Sequence, residues 1–256
     1  CLAPDERGRL LGCVLNKCQG PARARGELGD AVRRRTGIAL LGAIPQVPDL
    51  RIPGEDSVVL EAEAGWGGEP EGAVEVAVLQ TPWISNFMDV DSLRLEPGVT
   101  LRYVREPDKI TGADVVILPG SKNTLGDLAS LHARGFAPAL ARARRFGAMI
   151  VGLCGGYQML GRWVEDPFGM EGRPGRAAGL GLLDVTTVLA REKASYQVTG
   201  RVRPGGPLAP AENLEGYEIH LGETVRAAGV RPLLDLRRRG QGGPAIADGA
   251  VSADGA

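Results

Sequence analysis

Apolar runs alternate with charged stretches in the first part of the chain. Residues 10–15 and 38–44 are short apolar runs of the kind that forms buried strands. The charged stretch between them, Ala22–Thr36, begins after Pro21 and stops before Gly37, and these residue types are favoured at the two ends of a helix. A strand, a helix and a strand at this spacing predict a parallel βαβ unit.

The alternation resumes in the second part of the chain. Leu125, Leu128 and Leu131 recur at the spacing of one helix face, with Gly135 as the stop, and a second helix is predicted over residues 137–146. Four apolar runs predict strands at Val74–Leu79, 101–104, Val115–Leu118 and 149–153. Glycine-rich segments predict further β-structure at 179–189, 196–202, 216–220 and 245–251. We therefore expect an α/β protein whose second domain is an open, mostly parallel sheet.

Residues 59–73 separate the two parts of the chain. They are rich in glycine and glutamate and contain few apolar side chains, which is typical of a linker. We therefore expect one domain over residues 1–58 and another over residues 74–256. The chain opens on Cys1 and closes in a strand-and-turn pattern at Ala256, so we expect that both ends cut through a larger fold.

Composition and charge narrow the function classes. Hydrophobic residues make up 43% of the chain, charged residues 24%, and the net charge is −1, so nothing indicates a nucleic-acid partner. No apolar run reaches about twenty residues and no signal peptide is evident, so we expect a cytoplasmic protein with no membrane partner. The spacing of the four cysteines fits neither a disulfide framework nor a zinc site, and we expect no metal site.

Cys154 has the strongest chemical signal in the sequence. It lies where a predicted strand turns into a helix, with glycines on both sides that permit the tight turn of a nucleophile elbow. A thiol at a helix N-terminus is expected to have a lowered pKa. The amides of Gly120 and Gly155 could form an oxyanion hole, and Gln158, one helical turn on, could hold the substrate. A buried structural cysteine is the alternative interpretation.

Three other features have simpler interpretations. Asn123 or Thr124 is predicted to cap the helix that follows. His132 falls in the last turn of that helix, where an imidazole commonly bonds free carbonyl groups. The run Arg237-Arg238-Arg239 is predicted to be a solvated loop.

The stretch from Gly152 to Gly161, GLCGGYQMLG, resembles the nucleophile motif of class I (triad) glutamine amidotransferases. More narrowly, the chain resembles the cobyric acid synthase family over nearly all of its length. The further matching stretches are ISNFMD at 84–89, LPGSKNT at 118–124, GYEIHLG at 216–222 and, more weakly, DGA at 248–250. The resemblance implies a flavodoxin-like open-sheet glutamine amidotransferase domain over residues 74–256, with Cys154 as the nucleophile.

Residues 1–58 are similar to the last βαβ of the family's dethiobiotin-synthetase-like, P-loop ATP domain, so the resemblance implies a C-terminal remnant of that domain. The matching stretches lie at 12–17 and 41–45. The pattern G-x-x-x-x-G-K-[ST] is missing from this sequence, so the phosphate site is expected upstream. Asn16 and Pro45 match positions that approach the nucleotide base in relatives, and ordinary strand-end residues are the alternative. ATP and Mg²⁺ are implied for the full-length enzyme, and no covalently bound cofactor is expected.

A cysteine nucleophile needs a base, which is normally a histidine. Within this chain His220 is the candidate, but it is a weak one. Relatives place the catalytic histidine in a Gly-Thr-Tyr-Leu-His-Gly motif just after the Asp-Gly turn matched by Asp254-Gly255. The resemblance therefore implies that the base lies after Ala256, that His220 shapes the site instead, and that the fragment itself is inactive.

The implied activity is an ATP-driven, glutamine-dependent amidation of peripheral carboxylates of adenosylcobyrinic acid a,c-diamide, giving adenosylcobyric acid. L-glutamine and the corrinoid are the implied small-molecule partners. Three alternatives stay open: a cobyrinic acid a,c-diamide synthase, the amidotransferase subunit that acts on lipid II, and a catalytically inactive amidotransferase-like binding domain.

Overall fold

The computed structural model describes residues 9–18, 22–45 and 74–252. The chain divides into two compact units, Cys1–Pro53 and Gly54–Ala256. The predicted linker at 59–73 lies outside the described residues, so its structure stays a prediction.

The first unit contains a parallel βαβ arrangement, as the sequence predicts. Strand β1 (Cys13–Cys18) pairs in parallel with β2 (Leu40–Pro45), and helix α1 (Ala22–Thr36) lies between them in sequence. Gly37 ends the helix in the left-handed conformation, with its amide bonded to the Arg33 carbonyl. The predicted first strand began too early, at residue 10, because pairing with β2 starts only at Cys13. Whether this unit is the remnant of a P-loop domain stays a prediction.

The second unit is built on a four-stranded parallel sheet in the order β4-β3-β5-β6. Its strands are β3 (Val74–Leu79), β4 (Val99–Val104), β5 (Val115–Leu118) and β6 (Met149–Gly152). The first two strands in sequence lie in reversed spatial order, which is the flavodoxin-like pattern. In such sheets binding sites form at the carboxyl ends of the strands, where β5 and β6 both end. The four predicted strands are therefore confirmed, with shifts of one or two residues at two ends.

Helices cover both faces of this sheet. They are α2 (Thr124–Ala133), α3 (Phe136–Arg145), the short α4 (Gly155–Met159) and two 3-10 segments at Phe87–Leu95 and Pro107–Ile110. Ala77 and Leu79 of β3 point into the core that contains α2 and α3, whereas Val76 and Val78 point to the opposite side, towards Val90. Successive strand residues face opposite sides, so a continuous apolar run is buried on both.

A second, mixed sheet follows in the sequence. Its strands are β7 (Trp163–Asp166), β8 (Gly175–Ala178), β9 (Val185–Val202), β10 (Leu214–Arg226), β11 (Leu234–Arg238) and β12 (Ile246–Asp248). Along the part of the chain that is described, their order is β12-β11-β9-β7-β8, with β10 paired antiparallel to β9. The predicted β-structure is present, but β9 and β10 form one long hairpin instead of separate short strands.

The β9–β10 hairpin contains a large irregularity. Leu221 pairs with Lys193, whereas Glu223 pairs with Val188, so four residues of β9 stand opposite Gly222 alone. Gly222 takes φ 112, where a side chain would be strained. None of the helices within the described ranges is long and apolar enough to cross a membrane.

The packing of α3 gives a direct test of the core. Leu140 is 0% exposed and Phe146, just past the helix end, is 85% exposed. Leu140→Ala should lower the free energy of unfolding by about 2–5 kcal/mol, because it leaves a cavity between α3 and the sheet. Phe146→Ala is the matched control and should change it by less than about 0.5 kcal/mol. Equal effects of the two substitutions in urea denaturation would contradict this core.

Candidate active site

Cys154 occupies a strained turn between β6 and α4. It is the N-cap residue of α4 and has φ 51 and ψ −111. This conformation is unusual for a residue with a side chain and costs on the order of 1–3 kcal/mol. The sequence predicted a nucleophile elbow at this position, and the geometry confirms the tight turn.

Three glycines make this turn possible by leaving no room for a side chain. A methyl group on Gly152 would lie 2.6 Å from the Tyr157 amide nitrogen, and one on Gly156 would lie 2.0 Å from the Leu118 carbonyl oxygen. On Gly155 it would lie 2.9 Å from the Ser121 amide nitrogen. The backbone of α4 therefore packs directly against the end of β5, which brings Cys154 beside the loop that follows β5.

That loop faces Cys154 through Gly120. A methyl group on Gly120 would lie 3.8 Å from Cys154 Cβ and 2.7 Å from the Ser85 hydroxyl oxygen. The loop is held by an isolated antiparallel bridge between Ile84 and Ser121, and the Ser85 amide donates to the Gly120 carbonyl at 2.9 Å. The structure thus brings together Gly120, Gly155 and Cys154, as the sequence predicts; their role as oxyanion donors stays a prediction.

Strand β10 borders the nucleophile on another side. Cys154 Sγ lies 3.9 Å from the Ile219 carbonyl oxygen, and Gln158 Nε2 donates to the Leu221 carbonyl oxygen at 3.1 Å. Among the described strands β10 pairs only with β9, so its other edge is unpaired there. Gln158 is buried, and its amide holds β10 against α4. Its predicted contact with the substrate is not tested by this arrangement.

The surroundings of Cys154 change its acidity. The Cys154 side chain is exposed at the surface, but neighbouring groups partly desolvate the thiol and raise its pKa above the ordinary value of 9.0. The Gly155 amide and the charge of Lys193 lower the pKa, Asp89 raises it, and the net shift is upward. The expected lowering by the helix N-terminus is therefore wrong. Helix α4 has only 5 residues, so its dipole is weak and desolvation outweighs it. Burial also raises the pKa of the nearby Asp89 carboxyl.

Both ring nitrogens of His220 are engaged by its own strand. Nδ1 lies 2.8 Å from the Gly222 carbonyl oxygen and Nε2 lies 2.9 Å from Glu218 Oε1. Since each nitrogen is directed at an oxygen of its own strand, neither is directed at the Cys154 thiol. This geometry favours the site-shaping role over the base.

Glu218 joins His220 to the next strand. Arg238 donates to the two Glu218 carboxylate oxygens from Nε and Nη2, both at 2.7 Å, and its guanidinium lies 4.1 Å from the centre of the Tyr196 ring. The hydrogen bond from Arg238 is the main reason that the pKa of Glu218 is lowered. The prediction of a solvated loop at Arg237–Arg239 is thus wrong, because Arg237 and Arg238 lie in β11 and Arg238 binds the partly buried carboxylate of Glu218.

His132, the chain's other histidine, is also engaged elsewhere. Its Nε2 lies 2.9 Å from the Ala178 carbonyl oxygen in β8. It bonds a neighbouring strand and not the end of its own helix. Neither histidine of the chain therefore contacts Cys154.

The start of α2 contains carboxylates that the sequence interpretation overlooked. Asn123 caps the helix as predicted, since its side-chain oxygen accepts from the Gly126 amide at 2.8 Å. Glu171, from the loop after β7, adds a second cap by accepting from the Leu125 amide at 3.1 Å. Asp127 is completely buried, although it belongs to the same helix face as Leu128 and Leu131. The position of a carboxylate on an apolar helix face is the sequence signal that could have identified Asp127.

The described residues contain no cluster of side chains that fits a metal ion. No group of three or more His, Cys, Asp or Glu side chains that could hold a metal ion occurs among them. Asn16 lies exposed in β1, where its side-chain oxygen accepts from the Lys17 amide at 2.9 Å, and Pro45 is the last residue of β2. Both lie near the carboxyl ends of their parallel strands, and their predicted approach to a nucleotide base stays a prediction.

Comparison with known proteins decides the family. The model of the CobB/CobQ-like glutamine amidotransferase domain matches residues 75–256, which include the Cys154 turn, the loop at Gly120 and β10. This chain belongs to that family. The matched range contains Cys154, whose role as the nucleophile stays a prediction.

Curated relatives of the chain include two named cobyric acid synthase. The one from Sorangium cellulosum is 42% identical over 100% of this chain and 52% of its own length. The one from Pelotomaculum thermopropionicum is 45% identical over 99% of this chain and 48% of its own length. The amidotransferase chain thus spans about half the length of these relatives.

The fold of the amidotransferase chain is similar to that of a solved structure, PurLQS from Thermotoga maritima. The TM-score is 0.53 at 19% sequence identity, over 71% of this chain and 83% of that chain. The predicted α/β, open-sheet amidotransferase fold is confirmed.

The raised pKa of Cys154 predicts how the thiol responds to pH. An acid with a raised pKa stays protonated further up the pH scale, so little thiolate exists at neutral pH. Alkylation of Cys154 by iodoacetamide, followed by peptide mass mapping, should keep accelerating as the pH rises past 9.0, the ordinary thiol pKa. Cys154→Ser is the control for reaction elsewhere. A rate that levels off near neutral pH would contradict the upward shift.

Proposed function

We propose that this chain supplies the glutaminase half of an ATP-driven amidotransferase that acts on a corrinoid. The observation that supports it most is the strained Cys154 turn, which lies between the Gly120 loop and the unpaired edge of β10. Relatives that span the whole chain are named cobyric acid synthase. We infer the same overall reaction for the longer protein: amidation of peripheral carboxylates of adenosylcobyrinic acid a,c-diamide to adenosylcobyric acid.

In this proposal Cys154 attacks the side-chain amide of glutamine. The thiolate sulfur bonds to the amide carbon, and the carbonyl π electrons move to oxygen to give a tetrahedral oxyanion. The oxyanion collapses, the C–N bond breaks, and the nitrogen leaves as ammonia after accepting a proton from the conjugate acid of the base. A γ-glutamyl thioester remains, and water then hydrolyses it to glutamate and free thiol.

The two sides of the Cys154 pocket have different tasks. The amides of Gly120 and Gly155 stabilise the oxyanion, since both glycines pack against the nucleophile turn. The unpaired edge of β10 offers the Ile219 main chain to the amino-acid end of glutamine, and Gln158 fixes that edge through Leu221. Both sets of contacts come from main-chain atoms, so neighbouring side chains are needed to hold these atoms in position.

The base of the reaction is proposed to lie outside this sequence. His220 and His132 are the only histidines of the chain, and both imidazole rings are hydrogen-bonded to groups other than Cys154. The raised pKa of Cys154 makes a base necessary, because a protonated thiol is a poor nucleophile.

ATP chemistry is likewise proposed for residues beyond the described ones. In the longer protein, ATP with Mg²⁺ would activate the corrinoid carboxylates as acyl phosphates. The described residues offer no group of metal ligands, and the proposed contribution of this chain is ammonia. We propose a cytoplasmic setting for the longer protein.

Because glutamine hydrolysis and amidation are proposed to occur at separate sites, loss of Cys154 should affect only the glutamine-dependent reaction. In the full-length enzyme, Cys154→Ser should abolish glutamine-dependent amidation and ammonia release, because the thioester cannot form. Amidation supported by added ammonia should persist, since the ammonia-consuming site is left intact. Cys13→Ser is the matched control and should leave both activities near those of the wild type.

Two outcomes would contradict this account. Cys154→Ser could retain glutamine-dependent amidation, which would exclude Cys154 as the nucleophile. Alternatively, the 256-residue chain alone could release ammonia at the full-length rate and lose it on His220→Ala, which would make His220 the base.

A further inference from the structure

Asp127 is a buried carboxylate beside the proposed site that the mechanism above does not use. It lies in the first turn of α2 and is 0% exposed. Burying a carboxylate is costly unless hydrogen bonds compensate for the lost water. The hydrogen bonds of Asp127 therefore indicate which segments its burial stabilises.

The two oxygens of Asp127 hold two different segments. Oδ2 accepts from the Ser121 hydroxyl at 2.6 Å, and Oδ1 accepts from the Trp83 amide at 3.1 Å. Ser121 belongs to the loop after β5 and Trp83 to the loop after β3. A single side chain on a rigid helix thus ties together both loops.

These two loops form the small antiparallel bridge next to Cys154. The Lys122 amide donates to the Trp83 carbonyl at 2.8 Å, and the Ser85 amide donates to the Gly120 carbonyl at 2.9 Å. Asp127 lies at the Trp83 end of this bridge, and Gly120 and Cys154 lie at the other. Movement of Ser121 would therefore move the Gly120 peptide.

Ser121 is also in direct contact with the nucleophile turn. A methyl group on Gly155 would lie 2.9 Å from the Ser121 amide nitrogen and 3.0 Å from its Cβ. The position of Ser121 thus fixes the distance between the Gly120 loop and the Gly155 amide. These are the two groups proposed to bind the oxyanion, and misplacement by a fraction of an ångström weakens such donors.

We propose that Asp127 is a positioning residue that sets the geometry of the oxyanion site through Ser121 and Trp83. It touches neither the substrate nor Cys154. The inference rests on the proposed function, and it adds a requirement for a two-oxygen acceptor at position 127. Asparagine replaces one of the two oxygens by an NH₂ group, so it cannot accept at both of the positions that Oδ1 and Oδ2 occupy.

The pKa of Asp127 reflects the cost of burying its carboxylate and the hydrogen bonds that reduce this cost. Burial raises its pKa, the hydrogen bonds from Ser121 and Trp83 lower it, and the charge of Glu171 raises it further. The net direction is upward, so the bonds offset only part of the cost of burial.

The test compares two reagents for the same thiol in the full-length enzyme. The diazoketone analogue of L-glutamine needs the glutamine pocket and the oxyanion site, whereas iodoacetamide needs only the thiol. Asp127→Asn should slow labelling of Cys154 by the diazoketone by about tenfold or more, while labelling by iodoacetamide changes less than about twofold. Asp108→Asn, at an exposed position, is the matched control and should change neither rate.

Ser121→Ala provides an independent variant that keeps the buried carboxylate. It removes the hydroxyl donor and should reproduce the selective loss, so it decides the matter if Asp127→Asn does not fold. Wild-type rates with the diazoketone in both variants, or equal slowing with both reagents, would overturn the positioning role. If the diazoketone does not label Cys154 of the wild-type enzyme, or glutamine does not protect it, the proposed function is contradicted before the variants are compared. Labelling of the wild type with no selective defect in the variants contradicts the positioning role alone.

Discussion

The close approach of the backbone at Cys154 is the constraint on which the rest of the site depends. Gly156 packs so tightly on the end of β5 that any side chain would collide with the Leu118 carbonyl. The contact forces Cys154 into φ 51 and presents its thiol at the carboxyl edge of the sheet. The strain is tolerated because a core on each face of the sheet holds the two strands in register.

Neighbouring elements complete the site with backbone atoms that side chains hold in place. Gln158 fixes the unpaired edge of β10, and Asp127 fixes the loop that contains Gly120. On the far face of the hairpin, Glu218 binds both His220 and Arg238 and so stiffens β10. Buried polar side chains in this domain thus act mainly as supports for the main chain, which is the part proposed to meet glutamine.

Sequence patterns predicted the features that depend on local chemistry. The tight turn at Cys154 depends on glycines only a few residues away in sequence. The parallel strands were predicted from runs of apolar, largely β-branched residues. Contacts between distant segments were not predictable. Asp127 is hydrogen-bonded to Trp83, 44 residues away in sequence, and Arg238 to Glu218, 20 residues away. Charged residues opposite Gly222 interrupt the apolar pattern, so the sequence does not show that β9 is one continuous strand. The upward shift of the Cys154 pKa was not predictable for the same reason, because desolvation of the thiol depends on its tertiary surroundings.

The most direct test of the central claim is to trap the covalent intermediate on Cys154. The full-length enzyme should be quenched in acid during glutamine turnover, and its peptides analysed by mass spectrometry. The account predicts a γ-glutamyl thioester on the peptide that contains Cys154, labile to hydroxylamine and absent from Cys154→Ser. Continued ammonia release with the thioester on another cysteine, or with no thioester and undiminished activity in Cys154→Ser, would contradict it.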